Sequence, residues 1–192
     1  MIIGITGGTG CGKTTLLKRL AEHGYTVLDC DAIYHELLKT DTKTLAAIEA
    51  RFPGTVTEGI LDRKKLGAVV FADPAALQEL NAITHGAVKA EVLRLLECAN
   101  NAAIDAIALF ESGLASLCDL TVAVTAPEEL RVARLVARDG ISQEYALSRI
   151  RAQKAQEEFI SLCDYSLHND GTESAFQEKC LAFFREQGII KS

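Results

Sequence analysis

Residues 7–14 read Gly7-Gly8-Thr9-Gly10-Cys11-Gly12-Lys13-Thr14 and fit the pattern G-x-x-x-x-G-K-[ST]. An apolar run, Ile2 to Thr6, leads in, and a helical stretch, Thr14 to Glu22, leads out. Strand, glycine-rich loop and helix is the order a phosphate-binding loop needs. The glycines let backbone N–H groups turn toward phosphate oxygens, and the helix N-terminus adds its dipole. Lys13 is the expected counter-charge to the β and γ phosphates, and the Thr14 hydroxyl the expected Mg2+ ligand. Gly8, Thr9, Gly10, Cys11, Gly12, Lys13, Thr14 and Thr15 thus form the expected contact with ATP. The Cys11 side chain occupies a free position of the pattern, where Lys13 and a helix N-terminus would lower a thiol pKa.

Outward from this loop, short apolar strand candidates alternate with helical stretches. The strands are Ile2 to Thr6, Thr26 to Cys30, Ile104 to Phe110, Leu120 to Thr125 and Tyr165 to His168. That alternation predicts an α/β fold, a five-stranded parallel sheet between two layers of helices. Residues 31–101 show no convincing strand and read as helices, with Asp73-Pro74 opening one of them. A further helical stretch runs from Pro127 to about Phe159, with a break at Asp139-Gly140. The expected organisation is one domain: a core of 1–30, 101–137 and 160–192, a helical insertion of about 31–100, and a helical lid of about 138–159.

Composition narrows the function. Of 192 residues, 48% are hydrophobic and 24% charged, which excludes a mostly disordered chain. Twenty Lys and Arg against 26 Asp and Glu give a net charge of −6, so no basic field is available to hold a nucleic-acid strand. No apolar run approaches the ~20 residues that span a bilayer. The N-terminus lacks the basic, apolar layout of a signal peptide. The six cysteines show no metal-binding spacing. A cytoplasmic protein with reduced thiols is expected, with all but Cys11 acting as small buried apolar residues.

The loop alone does not separate kinase, switch and motor. The N-K-x-D guanine motif and the L-S-G-G-Q signature of transport ATPases are both absent from the sequence. A small kinase remains, and three clusters fit it. The second strand ends in Asp29-Cys30-Asp31, and carboxylates at i and i+2 of an extended segment share a face. One can take the acceptor's hydroxyl proton and the other can orient a metal-bound water, or an Asp can cap the helix that follows. The third strand is read as ending in Glu111, an acid placed to support Mg2+ through water. Arg131, Arg134 and Arg138 share one helix face, with Arg149 and Arg151 beyond. They suit either a lid that clamps phosphates or a solvated face on which Glu128 pairs with Arg131.

These motifs together resemble the dephospho-CoA kinase family. The resemblance rests on GITGGTGCGKTT at 4–15, D-x-D at 29–31, LDRKKLGAVVF at 61–71, ITH at 83–85, LFE at 109–111, CDLTVAV at 118–124, RLVARDG at 134–140 and RIRAQ at 149–153. It implies an adenylate-kinase-like core, a helical substrate domain and an arginine-bearing lid. It implies MgATP as donor and the ribose 3′-hydroxyl of dephospho-CoA as acceptor, in a monomer or small homo-oligomer. Asp31 would be the general base, Arg134 and Arg138 would serve the phosphates, and Asp29, Asp62, Arg63, His85 and Glu111 would stand on the acceptor side. The chain departs from the pattern at Gly86, where proline is usual, at Arg131, often glutamine, and at Cys30, often alanine. Other readings are a different small-molecule or nucleotide kinase, and a non-catalytic ATP-dependent switch in which Asp31 only caps a helix.

Overall fold

The computed structural model describes residues 1–190. In chain order the elements are β1 (Ile2–Thr6), α1 (Lys13–Glu22), β2 (Thr26–Asp29), α2 (Cys30–Thr40), α3 (Thr42–Arg51), β3 (Val56–Thr57) and β4 (Ile60–Leu61). Then follow α4 (Arg63–Val70), α5 (Pro74–Leu96), β5 (Ala102–Asp105), β6 (Leu120–Thr125), α6 (Glu128–Asp139), α7 (Gln143–Arg151), α8 (Gln156–Leu162), β7 (Tyr165–His168) and α9 (Glu173–Glu186). The chain divides into two compact units, one of Met1–Leu28 with the chain from Ala99 onward, the other of Asp29–Cys98.

The first unit is built on a parallel five-stranded sheet of order β2-β5-β1-β6-β7. Its three central strands β5, β1 and β6 are buried nearly throughout and largely apolar, as parallel strands covered by helices should be, while the edge strands β2 and β7 each bury one leucine. Ile3, Ile5, Val122 and Val124 of the sheet share one core with Leu16, Leu17 and Leu20 of α1 and with Phe176, Phe183 and Phe184 of α9. This burial is what fixes α1 against the sheet, and with it the loop that enters α1. A Gly12 N-cap with φ of 102° starts α1 without any side-chain cap, so its first amides are left for another acceptor. Gly140, with φ of 66°, stops α6 at the expected break.

Three expectations are corrected here. The third long strand is Ala102–Asp105, and Glu111 lies in the turn that follows. The pairing Ile5↔Asp105 is the last one β1 offers before it enters the phosphate loop, so β5 runs out of partner there although the sequence stays apolar. The region 31–101 does contain strands, the two-residue hairpin β3–β4, turning through Glu58 and Gly59 at φ of 51° and 78°. Among the cysteines expected to be buried, Cys30 and Cys180 are, whereas Cys98 is exposed and Cys118 and Cys163 are half-buried.

The second unit packs α2, α3 and α4 along the long α5. Its core is Leu38, Ile48, Phe52, Leu66, Val70, Ala76 and Leu80. Each of its four helices starts on an aspartate whose carboxylate accepts backbone N–H groups of the first turn: Asp29, Asp41, Asp62 and Asp73. Such caps stabilise by about 1 kcal/mol each relative to alanine. Pro74 opens α5 as expected.

Candidate active site

The phosphate loop is held from behind by side chains of α6, of the segment after α7, and of the residue after β7. Arg131 Nε donates to the Thr9 carbonyl at 2.9 Å. Arg134 Nη1 donates to the Gly10 carbonyl at 3.3 Å. Asn169 Nδ2 donates to the Cys11 carbonyl at 2.9 Å, and its Oδ1 accepts Arg134 Nη2 at 3.0 Å. Three consecutive carbonyls are thereby kept on the protein side. A planar trans peptide points its N–H opposite to its C=O, so the amides of Gly10, Cys11 and Gly12 turn the other way, that of Cys11 making a long bond to the Gly8 carbonyl at 3.4 Å. The loop so arranged is a nest of donors at a helix N-terminus, the form that binds phosphate. Gln153 completes it by accepting the Thr9 N–H at 2.8 Å.

This close seating explains two glycines. A Cβ at Gly8 would collide with Arg131 Nη2, and one at Gly12 with Asn169 Nδ2. Gly12 also needs a left-handed backbone that a side chain resists.

Lys13 Nζ donates to the Gly7 carbonyl at 2.9 Å and stands 4.0 Å from Asp105 Oδ1, both side chains being largely buried. Asp105 was missed by the sequence reading, which placed the strand-end acid at Glu111. Glu111 is exposed and ion-paired with Lys154. Thr14 sits in the first turn of α1 with its side chain exposed, and Thr15 donates its N–H to the Gly12 carbonyl. Cys11 is 1% exposed, and burial pushes its thiol pKa up despite Lys13, contrary to the expected lowering.

The arginines separate. Arg131 and Arg134 grip the loop, which neither sequence reading foresaw. Arg138 is on the surface, where it donates to both carboxylate oxygens of Asp139 at 2.6 and 3.0 Å. Arg149 donates to Asp139 as well, at 2.9 Å. The two guanidinium groups hold the Asp139 carboxyl down at about 2.

In the second unit, Asp29 Oδ1 accepts the N–H groups of Asp31 and Ala32 at 2.9 and 3.0 Å. The strand therefore ends at Asp29, and Asp31 is a first-turn residue of α2, exposed and not a cap. The two carboxylates do not leave one extended segment, as the i, i+2 spacing suggested. Asp62 caps α4, and Arg63 follows it at the rim of a cleft of about 220 Å³ lined also by Tyr34, His35, Leu66, Phe71 and Leu80. Burial raises the Tyr34 phenol pKa, partly offset by Arg63. His85 is half-buried on α5. Its neighbour Gly86 lines a larger groove of about 540 Å³ with Asp41, Lys43 and Arg94, and a Cβ added at Gly86 would meet only open space.

A family model described as dephospho-CoA kinase matches residues 1–175. Dephospho-CoA kinase of Thermobifida fusca is 37% identical over 189 residues, spanning 96% of this chain and 94% of that protein. Among solved structures, TT1252 from Thermus thermophilus is 34% identical with a TM-score of 0.82, over 100% of this chain and 98% of that one. Dephospho-CoA kinase from Campylobacter jejuni is 27% identical with a TM-score of 0.68, over 98% of both chains.

Proposed function

The chain belongs to the dephospho-CoA kinase family and is an ATP-dependent kinase, and from that premise we propose which residues carry each part of the transfer. The observation that carries the assignment is the capture of the Thr9, Gly10 and Cys11 carbonyls by Arg131, Arg134 and Asn169. It supports a loop pre-set with its amides toward the phosphates of ATP, so that little rearrangement opposes binding.

Lys13 neutralises the β and γ phosphates as charge shifts toward the leaving ADP. Mg2+ arrives with the nucleotide: among the described residues no group of three or more His, Cys, Asp and Glu is placed to hold a metal ion. When bound, it would be held by the Thr14 hydroxyl, with Asp105, Asp29 or Glu111 as the acid that would support it through water, and it would offset phosphate charge during transfer. Asp105 fits best on position, since it ends the strand beside β1 and lies 4.0 Å from Lys13. Asp31 accepts the proton of the ribose 3′-hydroxyl of dephospho-CoA while that oxygen bonds to the γ phosphorus and the bridging bond to ADP breaks. The second unit supplies the acceptor side, with Arg63 and His85 as its polar contacts. Asp62 acts there by capping α4. Residues around 138–159 form the lid.

An ATP-consumption assay against dephospho-CoA, nucleosides, nucleoside monophosphates and no acceptor tests this reading. Turnover only with dephospho-CoA is the expected result. Good turnover with nucleoside monophosphates and none with dephospho-CoA would refute it.

No helix among the described residues is long and apolar enough to cross a membrane.

A further inference from the structure

Arg131 is 3% exposed, yet its guanidinium meets only neutral acceptors: the Thr9 carbonyl at 2.9 Å and Gln153 Oε1 at 3.5 Å. Arg134 likewise meets only the Gly10 carbonyl and Asn169 Oδ1 but is half-buried, whereas the other arginines of this region meet carboxylates. Arg138 and Arg149 pair with Asp139, and Arg151 with Glu128. Among the described residues no carboxylate stands within ion-pair distance of Arg131. Burial accordingly pulls its pKa down from the ordinary arginine value, an effect that the Glu128 carboxylate, beyond ion-pair distance, offsets only in part. A buried charge without a direct ion pair is unfavourable, and an ion of opposite sign brought to the site would complete it. The position of this charge is specific. Nη2 abuts the Gly8 backbone so closely that no Cβ fits between them, and Nε holds the Thr9 carbonyl.

We propose that Arg131 is a positioning residue that supplies fixed positive charge beneath the phosphate loop, and that its counter-ion is the polyphosphate of the bound nucleotide. It acts through the Gly8–Thr9 backbone, adding to the charge of Lys13 a second charge held on the far side of the loop. The inference rests on the reading of the loop as the ATP site. It differs from that reading in assigning charge, rather than a hydrogen bond alone, to a residue of α6.

Two variants separate charge from hydrogen bonding. Arg131→Gln keeps a donor near the Thr9 carbonyl and removes the charge. Arg131→Lys keeps the charge and loses the planar fork. Kd values for ATP, ADP and AMP are measured by calorimetry, and melting temperatures with and without ATP. The Gln variant should bind ATP and ADP roughly 10-fold more weakly or worse, with a smaller loss for AMP, since a charge effect scales with the phosphate charge it faces. Its nucleotide-free melting temperature should be unchanged or higher, because an uncompensated buried charge has gone, while the upward shift on adding ATP shrinks. The Lys variant should keep ATP affinity within about 3-fold of wild type. A Gln variant with wild-type ATP affinity overturns the proposal. So does a nucleotide-free melting temperature lowered by several degrees with the ATP shift intact, which marks a purely structural pin. If the Gln variant does not fold, the Lys variant decides: near-normal affinity upholds the charge, and a 10-fold loss refutes it. Wild-type protein that does not bind ATP, or Lys13→Ala that binds it normally, would instead remove the loop reading itself.

Discussion

Asn169 Nδ2 hydrogen-bonds the Cys11 carbonyl at 2.9 Å, tying the residue after β7 to the phosphate loop across 158 positions of sequence. The same side chain accepts from Arg134, and the backbone N–H of Asn169 donates to the Thr125 carbonyl at the end of β6. Asn169→Ala leaves the Cys11 carbonyl and Arg134 short of partners in a buried place. A loss of about 1–3 kcal/mol in stability is expected from such unpaired groups. ATP affinity should fall with it, because the Cys11 carbonyl is no longer held back by the amide of residue 169. Thermal melting and ATP titration of the variant check both.

Lys13→Ala removes the ammonium that stands between the Gly7 carbonyl and Asp105. Loss of its contact with the developing charge should lower kcat by roughly 10²-fold or more. The fold should persist, since the loop is pinned by Arg131, Arg134 and Asn169 rather than by Lys13. Steady-state kinetics and far-UV circular dichroism measure the two sides of this expectation, and near-normal turnover would contradict it.

The cap and the base are separable, because Asp29 makes the helix-capping bonds and Asp31 does not. Asp31→Asn should melt like wild type, bind ATP, and transfer phosphate roughly 10²-fold more slowly or worse, the size of general-base effects. Asp29→Ala should cost about 1 kcal/mol of stability from α2, which Asp29→Asn should restore. Denaturant unfolding and single-turnover transfer rates on the three variants give the answer. Wild-type kcat in Asp31→Asn would leave Asp31 without the base role.

Asp139 has a carboxyl pKa of about 2, below its unfolded value, through Arg138 and Arg149. A lowered folded-state pKa gives stability that is present above the unfolded pKa, near 4, and is lost as pH falls toward 2. The contribution is therefore complete at neutral pH and insensitive to pH changes above about 5. A carboxyl-carbon NMR titration should find Asp139 still ionised at pH 3, and Arg138→Ala should move its midpoint upward. In the lid role, Arg138→Ala also lowers kcat more than it weakens dephospho-CoA binding, and equal kcat would assign Arg138 to the ion pair alone.

Gly86 lies in the interior of α5 with open space where a side chain would stand. Glycine there costs roughly 0.5–1 kcal/mol relative to alanine. Gly86→Ala should accordingly raise stability by about that amount, read from denaturant midpoints. Its KM for dephospho-CoA reports whether the adjoining groove carries the acceptor.

Local signals were legible in the sequence, and those that depend on distant partners were not. The loop, the Pro74 start and the Gly140 stop each follow from backbone preferences within a few residues. The end of β5 does not: Ala106 to Phe110 stays apolar beyond Asp105 whether it pairs or turns, and the stop is set by β1 leaving the sheet. Asp105 was hidden for the same reason. Asn169 and Gln153 are neutral amides with no motif, and they reach the loop across 158 and 144 positions. Arg131 and Arg134 were visible as a helical stripe, but the choice between lid and solvent left out the third outcome, a grip on the loop itself.

That grip limits what can move. The segment from α6 through α7 is fastened to the phosphate loop at one end by Arg131 and Arg134, and at the other by Gln153, which takes the Thr9 N–H. A span fixed at both feet behaves as an arch and not as a flap on one hinge. It bows or straightens between its footings, and either footing passes the strain directly to the backbone of Thr9. Displacing Thr9 would therefore load both footings at once, Arg131 through the carbonyl and Gln153 through the N–H.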